Sequence, residues 1–208
     1  MRNRRDFLKT VAGATTGALL AGKSFAASPL QGAMAAAAGG RREVSIGGRR
    51  VKVVDIHAHC VIPEVAELVK GTSFEARAGG RARGPNIMGP ERIRAIDELG
   101  VDVQVLSMNG FWFYAVTDRD LAAKIVKLQD EKMAEWCAAH PDRYVALSSV
   151  ALQFPDLAAE QLEYAVKKLG ARGACIGGHV AGDDISMPKY DPFWATAQGL
   201  GVVVFMHP

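Results

Sequence analysis

Several features are scarce or missing in this chain of 208 residues, and each removes a class of protein. Cysteine occurs three times, at Cys60, Cys137 and Cys175, an odd count without regular spacing, so a disulfide framework is not expected. Cys137 falls in a helical pattern and Cys175 in a strand pattern, where each reads as a small buried apolar group; Cys60 follows His59 directly and reads as a bystander on the other face of the same strand. No stretch matches G-x-G-x-x-G, so the glycine-rich nucleotide fingerprint is absent. No apolar run is long enough to span a bilayer; the nearest, VAGATTGALLAG (11–22), is short and rich in Gly, Ala and Thr, so no stable membrane anchor is expected. A basic patch is missing too. The net charge of +3 comes from nine Lys/Arg against Asp6 and Glu43 in residues 1–50, and the remaining chain is net acidic, so nucleic acid is not an expected partner.

What is present begins with an address. MRNRRDFLKT carries the pair Arg4-Arg5, a weakly apolar run follows, and small residues surround Ser24-Phe25-Ala26-Ala27. This is the layout of a bacterial signal peptide and resembles the twin-arginine class, so residues 1–27 are expected to direct export to the periplasm. That route carries folded, cofactor-loaded proteins, which suits a metal protein. Residues 28–50, rich in Ala and Gly, read as a flexible linker, and 51–208 as the folded domain.

Within 51–208 two periods alternate. VKVVDI, VDVQVLSM (101–108), RYVALSSV (143–150), RGACIGG (172–178) and VVVFM (202–206) read as strands. PERIRAIDELG (90–100), the run 118–140 with Leu121, Ile125, Leu128 and Trp136 on one side, PDLAAEQLEYAVKKLG (155–170) and DPFWATAQGLG (191–201) read as helices, three of them closed by glycine. Short apolar strands alternating with amphipathic helices predict an α/β fold with a parallel sheet, of the TIM (β/α)8-barrel type.

The histidines then fall into place. His57, His59, His179 and His207 all lie at C-terminal ends of strands, the face of a barrel where sites are built; His140, before Pro141, reads as a helix C-cap. His57 and His59 are one residue apart, so a regular strand puts them on one face, roughly 6–7 Å apart along the backbone. Asp55 on that same face would support them as an acceptor. His207 follows an all-apolar strand, where a lone imidazole is costly without a partner. The three together point to a divalent metal site, with zinc the ion that an open, imidazole-rich set suits best. After the second strand, Asn109, Phe111 and Trp112 open an aromatic run (to Tyr114) that either walls a pocket or packs helix against barrel. Arg77, Arg81 and Arg83 lie in a glycine-rich loop, open to either a second carboxylate or to solvent.

DIHAH (55–59), the run 140–180 from HPDRYVALSSV to IGGHV, DPFW (191–194) and FMHP (205–208) resemble the amidohydrolase-related metal-dependent decarboxylases, whose namesake is aminocarboxymuconate-semialdehyde decarboxylase. The resemblance runs from about Val53 to Pro208. It implies that His57, His59 and His207 bind a divalent metal and that the reaction is non-oxidative decarboxylation of a small unsaturated or aromatic carboxylic acid, with no organic cofactor. Gly178-His179-Val180 is similar to a G-x-H-[IV] element of the semialdehyde decarboxylase branch and implies that His179 positions substrate. Family members continue through three further strands, with a catalytic histidine after the sixth and a metal-binding aspartate after the eighth. The chain is therefore expected to cover about the first five strands of the barrel and to be inactive by itself. A homodimer is an assembly open to the full-length protein, and a hydrolase or hydratase on the same metal platform is the alternative chemistry.

Overall fold

Proline before a run of helix formers and glycine after it set most helix boundaries in the computed structural model, which describes residues 40–79, 82–108 and 110–207. The helices are α1 (Pro63–Leu68), α2 (Glu75–Gly79), α3 (Pro90–Leu99), α4 (Arg119–Ala139), α5 (Pro155–Leu169) and α6 (Asp191–Leu200). Gly100, Gly170 and Gly201 end α3, α5 and α6, and the Asp118 side chain caps α4 by accepting from the Leu121 amide at 2.9 Å. The strands are β1 (Ser45–Ile46), β2 (Arg49–Arg50), β3 (Val54–Cys60), β4 (Val103–Met108), β5 (Tyr144–Ala146), β6 (Gly173–Gly177), β7 (His179–Val180), β8 (Asp183–Asp184) and β9 (Val203–His207). No helix among the described residues is long and apolar enough to cross a membrane.

Five of these strands run parallel in chain order. β3 pairs with β4, β4 with β5, and β6 with β9; a single parallel bridge, Ser148 to Ala174, joins the two groups. The predicted third strand forms a ladder over only three of its eight positions. The Leu147 amide still donates to the Leu106 carbonyl on β4 at 2.9 Å, and from there the chain turns to β6, where the Ser148 amide donates to the Gly173 carbonyl at 2.8 Å. The β6–β9 pair is close because residue 173 is glycine: its φ is 153°, and a Cβ there would stand 1.8 Å from the Val203 carbonyl oxygen. That register sets Gly177 opposite His207. β3 and β9 pair on one side only among the described residues, and Ile56 and Met206 on them are more than half exposed.

The core lies between the strands and helices, with Leu106, Ile125, Met133, Tyr144, Leu152, Leu162, Ile176 and Phe193 all buried. At about 1.5–3 kcal/mol for each large side chain removed from water, this layer is the main source of stability. The buried face of α4 runs through Ala122, Ile125, Val126, Gln129, Asp130 and Met133, while the predicted Leu121, Leu128 and Trp136 are half-buried at its margin. The face is rotated because two polar residues belong to it. Asp130 is held by the Ser148 hydroxyl and by the Ser149 amide at 2.9 Å.

The stretch 45–50, read from composition as linker, forms the hairpin β1–β2 instead. Gly47-Gly48 makes its two-residue turn with both φ angles positive, a conformation glycine adopts without steric cost. Arg41 and Arg50 then close on the buried Asp102 carboxylate, which also accepts from the Val53 amide at 2.7 Å. Residues 1–39, which hold the predicted signal peptide and the rest of the linker, lie outside the described residues.

Candidate metal centre

The first strand of the barrel carries the site, and its ladder is irregular there. β3 pairs Asp55 with Gln104 and then Ala58 with Leu106, so three steps on β3 match two on β4. The extra residue changes which face each side chain takes. Asp55 shares a face with Gln104, Ala58 and Leu106, toward the helices, whereas His57 and His59 project to the other side. Strict alternation predicts Asp55 on the histidines' face; the register shift puts it on the opposite one. Its carboxylate reaches β3 from behind: Oδ1 accepts the His57 backbone amide at 3.1 Å and Oδ2 accepts the Gln104 side-chain amide at 2.9 Å.

The rings of His57, His59 and His207 converge. His57 and His59 have Nε2 atoms 2.8 Å apart, and the ring centroids of the three lie 4.6–4.8 Å from one another. One nitrogen from each, taken together, falls within a span of 4.8 Å. Metal–nitrogen bonds of about 2.0–2.1 Å place the three on one ion after small ring rotations. The set is chemically suited to a divalent ion, since neutral imidazoles are good ligands of intermediate hardness. Phe205 packs its ring 5.3 Å from His57, and Phe111 stands 5.9 Å from His207, so apolar walls border the nitrogens.

Beside the triad opens a cleft of about 480 Å³, lined by Arg77, Phe111, Trp112, Tyr114, His179 and His207 among others. A second cleft, of about 500 Å³, shares Arg77 and Trp112 with it and reaches His59. Both readings of the aromatic run hold in part. Phe111 and Trp112 are half-buried and face the clefts, while Phe113 belongs to the core. Phe111 takes a left-handed backbone (φ 39°), an unfavourable conformation for a bulky residue that turns its ring toward His207. Arg77 sits on α2 at the rim rather than in open loop. His179 begins the β7–β8 hairpin, exposed in the first cleft, and its Nδ1 accepts the Gly182 amide at 3.2 Å. That bond assigns the proton of the neutral ring to Nε2. Asn109 and Arg81 lie outside the described residues.

Other sequence-level assignments resolve simply. Cys60 is fully buried against Met108 and the Ser107 carbonyl, and burial pushes its thiol up to about 12, well away from ligation. His140 closes α4, its amide bonded to the Trp136 and Cys137 carbonyls. Sequence reasoning missed Arg92 and Gln104. Arg92 is 3% exposed on α3, donates through Nε to Gln104 Oε1 at 2.9 Å and through one terminal nitrogen to the carbonyls of His59 (2.9 Å) and Pro85 (2.8 Å). The available signal was an arginine four residues before Ile96, on the apolar face of its helix.

The amidohydrolase family profile matches residues 54–208, three quarters of the chain and every element of the site. The chain belongs to the amidohydrolase family. Gamma-resorcylate decarboxylase from Rhizobium sp. is 34% identical to it over 123 residues, 56% of this chain and 38% of that protein. The 2-amino-3-carboxymuconate-6-semialdehyde decarboxylase of Dictyostelium discoideum is 30% identical over 121 residues, 56% of this chain and 33% of that protein. Among solved structures, 2,6-dihydroxybenzoate decarboxylase from Rhizobium matches with a TM-score of 0.63 at 29% identity, over 76% of this chain and 50% of that one. Dihydroxybenzoic acid decarboxylase from Polaromonas sp., solved with bound manganese and the inhibitor 2-nitroresorcinol, matches with a TM-score of 0.61 at 27% identity, over 76% and 49%. The chain thus spans about a third to a half of the length of these amidohydrolase-family relatives. The fold is of the (β/α)8-barrel type, with β3, β4, β5, β6 and β9 as five consecutive barrel strands.

Proposed function

We propose that the full-length protein carrying this chain is a metal-dependent, non-oxidative carboxy-lyase acting on a small aromatic carboxylic acid. The observation that carries this reading is the convergence of His57, His59 and His207 beside a cleft walled by Phe111 and Trp112. The names of the relatives support it, since all four are decarboxylases of planar acids. The semialdehyde branch remains the neighbouring reading, and a planar dienoic acid suits the same walls; the somewhat higher identity to gamma-resorcylate decarboxylase favours a hydroxybenzoate.

In this reading His57, His59 and His207 hold the ion through neutral ring nitrogens. Zinc is the ion the donor set favours, and manganese is the ion in a solved relative. When bound, a divalent ion supplies a positive anchor for the carboxylate and an adjacent oxygen of the substrate. Phe111 and Trp112 confine the ring to a slot and exclude water from its faces. His179, with its proton on Nε2, donates a hydrogen bond to a substrate oxygen, and Arg77 at the rim offers a guanidinium to a second anionic group. The bond between ring carbon and carboxylate breaks, carbon dioxide leaves, and the electron pair left on the carbon takes up one proton from solvent water. The balance needs no oxidant and no organic cofactor.

The test pairs metal content with carbon dioxide release over a panel of resorcylic, vanillic and muconic-type acids, with zinc and manganese each reconstituted. Release from a hydroxybenzoate is expected. His179→Ala is expected to keep its ion while turnover falls by about 10²-fold, the worth of one positioning or proton-handling group. Hydrolysis of a lactone or amide with no carbon dioxide from any acid would replace this reading with the hydrolase one.

A further inference from the structure

We infer that Arg92, Gln104 and Asp55 form a relay that positions the backbone of both β3 histidines and thereby sets the ion affinity of the His57–His59–His207 site; the inference rests on the metal reading of that site. The relay is continuous. Arg92 Nε donates to Gln104 Oε1 at 2.9 Å, Gln104 Nε2 donates to Asp55 Oδ2 at 2.9 Å, and Asp55 Oδ1 accepts the His57 amide at 3.1 Å. A second arm of Arg92 donates to the His59 carbonyl at 2.9 Å. One side chain from α3 therefore holds β3 directly at the His59 carbonyl and, through Gln104 and Asp55, at the His57 amide, from the face opposite the rings.

The grip falls where β3 lacks regular support. Its ladder with β4 is interrupted between Asp55 and Ala58, so neighbouring-strand bonds do not define the His57 peptide as they would in an even ladder. The Asp55 carboxylate takes over that task at the amide. A rotation of either peptide swings the attached ring, and ion binding tolerates only small displacements of its ligand nitrogens.

The cost of the arrangement argues the same way. Arg92 is buried, and the acceptors it meets directly are neutral: an amide oxygen and two backbone carbonyls. The Asp55 carboxylate lies beyond Gln104, its charge separated from the guanidinium by that amide. A methionine would fill the α3–β4 interface without the expense of desolvating a cation. The arms of Arg92 lead to β3 and to the Pro85 loop, so it contributes order around the histidines, where packing alone would not.

The experiment uses metal-stripped full-length protein, titrated with zinc and, separately, with cobalt(II), whose visible spectrum reports ligand geometry. Gln104→Met keeps side-chain volume but neither accepts from Arg92 nor donates to Asp55. It is expected to weaken zinc binding by about 10- to 100-fold and to alter the cobalt spectrum. Leu162→Ala, a core truncation in α5, is the control for lost stability. It should lower the unfolding midpoint while leaving affinity and spectrum at wild-type values. Wild-type affinity and spectrum in Gln104→Met would overturn the relay alone. Failure of the wild-type protein to bind either ion would overturn the metal reading, and the relay with it.

Discussion

His207 and His57 meet ring to ring with centroids 4.7 Å apart, although β9 and β3 share no ladder among the described residues. The three strands between them carry the chain around so that the first and fifth barrel strands face each other across the mouth. The site therefore depends on the curvature of the whole sheet as much as on its ligands.

Loss of one ring should be felt first in metal content. His57→Ala in the full-length protein is expected to lose most of its bound ion, about one per chain in the parent, because two imidazoles hold an ion far less well than three. Elemental analysis of the purified variant checks this, and full occupancy with full turnover would refute the assignment.

Asp130 predicts a pH dependence of stability. Burial raises its carboxyl from 3.8 to about 7, against the lowering effect of the bonds from Ser148 and Ser149. The folded state thus favours the protonated form more than the unfolded state does. The sign follows: the favourable contribution is complete below about pH 4, is lost as pH rises toward 7, and changes no further above that. Asp130→Asn, whose amide can still accept from Ser149, should flatten this fall. Urea unfolding at a series of pH values in both proteins measures the difference, and parallel profiles would show that Asp130 does not titrate in that window.

Asp102 should anchor the hairpin. Its carboxylate gathers Arg41, Arg50 and the Val53 amide, so Asp102→Ala strands a half-buried N–H and two guanidiniums. A cost of about 2–3 kcal/mol is expected, below the ~3–5 kcal/mol of a fully buried pair because both arginines reach solvent. The same variant should become sensitive to protease between Arg41 and Arg50. An unchanged cleavage pattern would mean the hairpin is held by other contacts.

Export tests the N-terminal address. Arg4-Arg5 exchanged for Lys-Lys should leave precursor in the cytoplasm, because the receptor of such signals reads guanidiniums rather than charge. Fractionation of cells expressing both forms decides it. Normal export of the double-lysine form would make the arginine pair incidental.

α3, α5 and α6 start and stop where Pro and Gly predict, since caps and periods are local properties. The buried face of α4 does not follow from its apolar period alone, because Asp130 becomes a core residue only once Ser148 and Ser149 are across from it. The β1–β2 hairpin carried a visible Gly47-Gly48 signal, but its composition resembled a linker. Asp55 shows the sharpest difference. Alternation put it beside the histidines, and one bulge sent it to the other face.

By itself, the sequence determined the alternation of strand and helix, the class of fold, the placement of His59 and His207 at the ends of barrel strands with His179 just past another, and the family. These follow from residue periods, terminators and short motifs, which act over a few positions. Only the tertiary structure decided that His207 closes on His57 and His59, that Phe111 turns toward the site while Phe113 joins the core, and that a buried arginine on α3 stands behind the two histidines. Those outcomes depend on sheet curvature, on a ladder slip of one residue and on contacts between segments far apart in the chain, none of which a local pattern encodes.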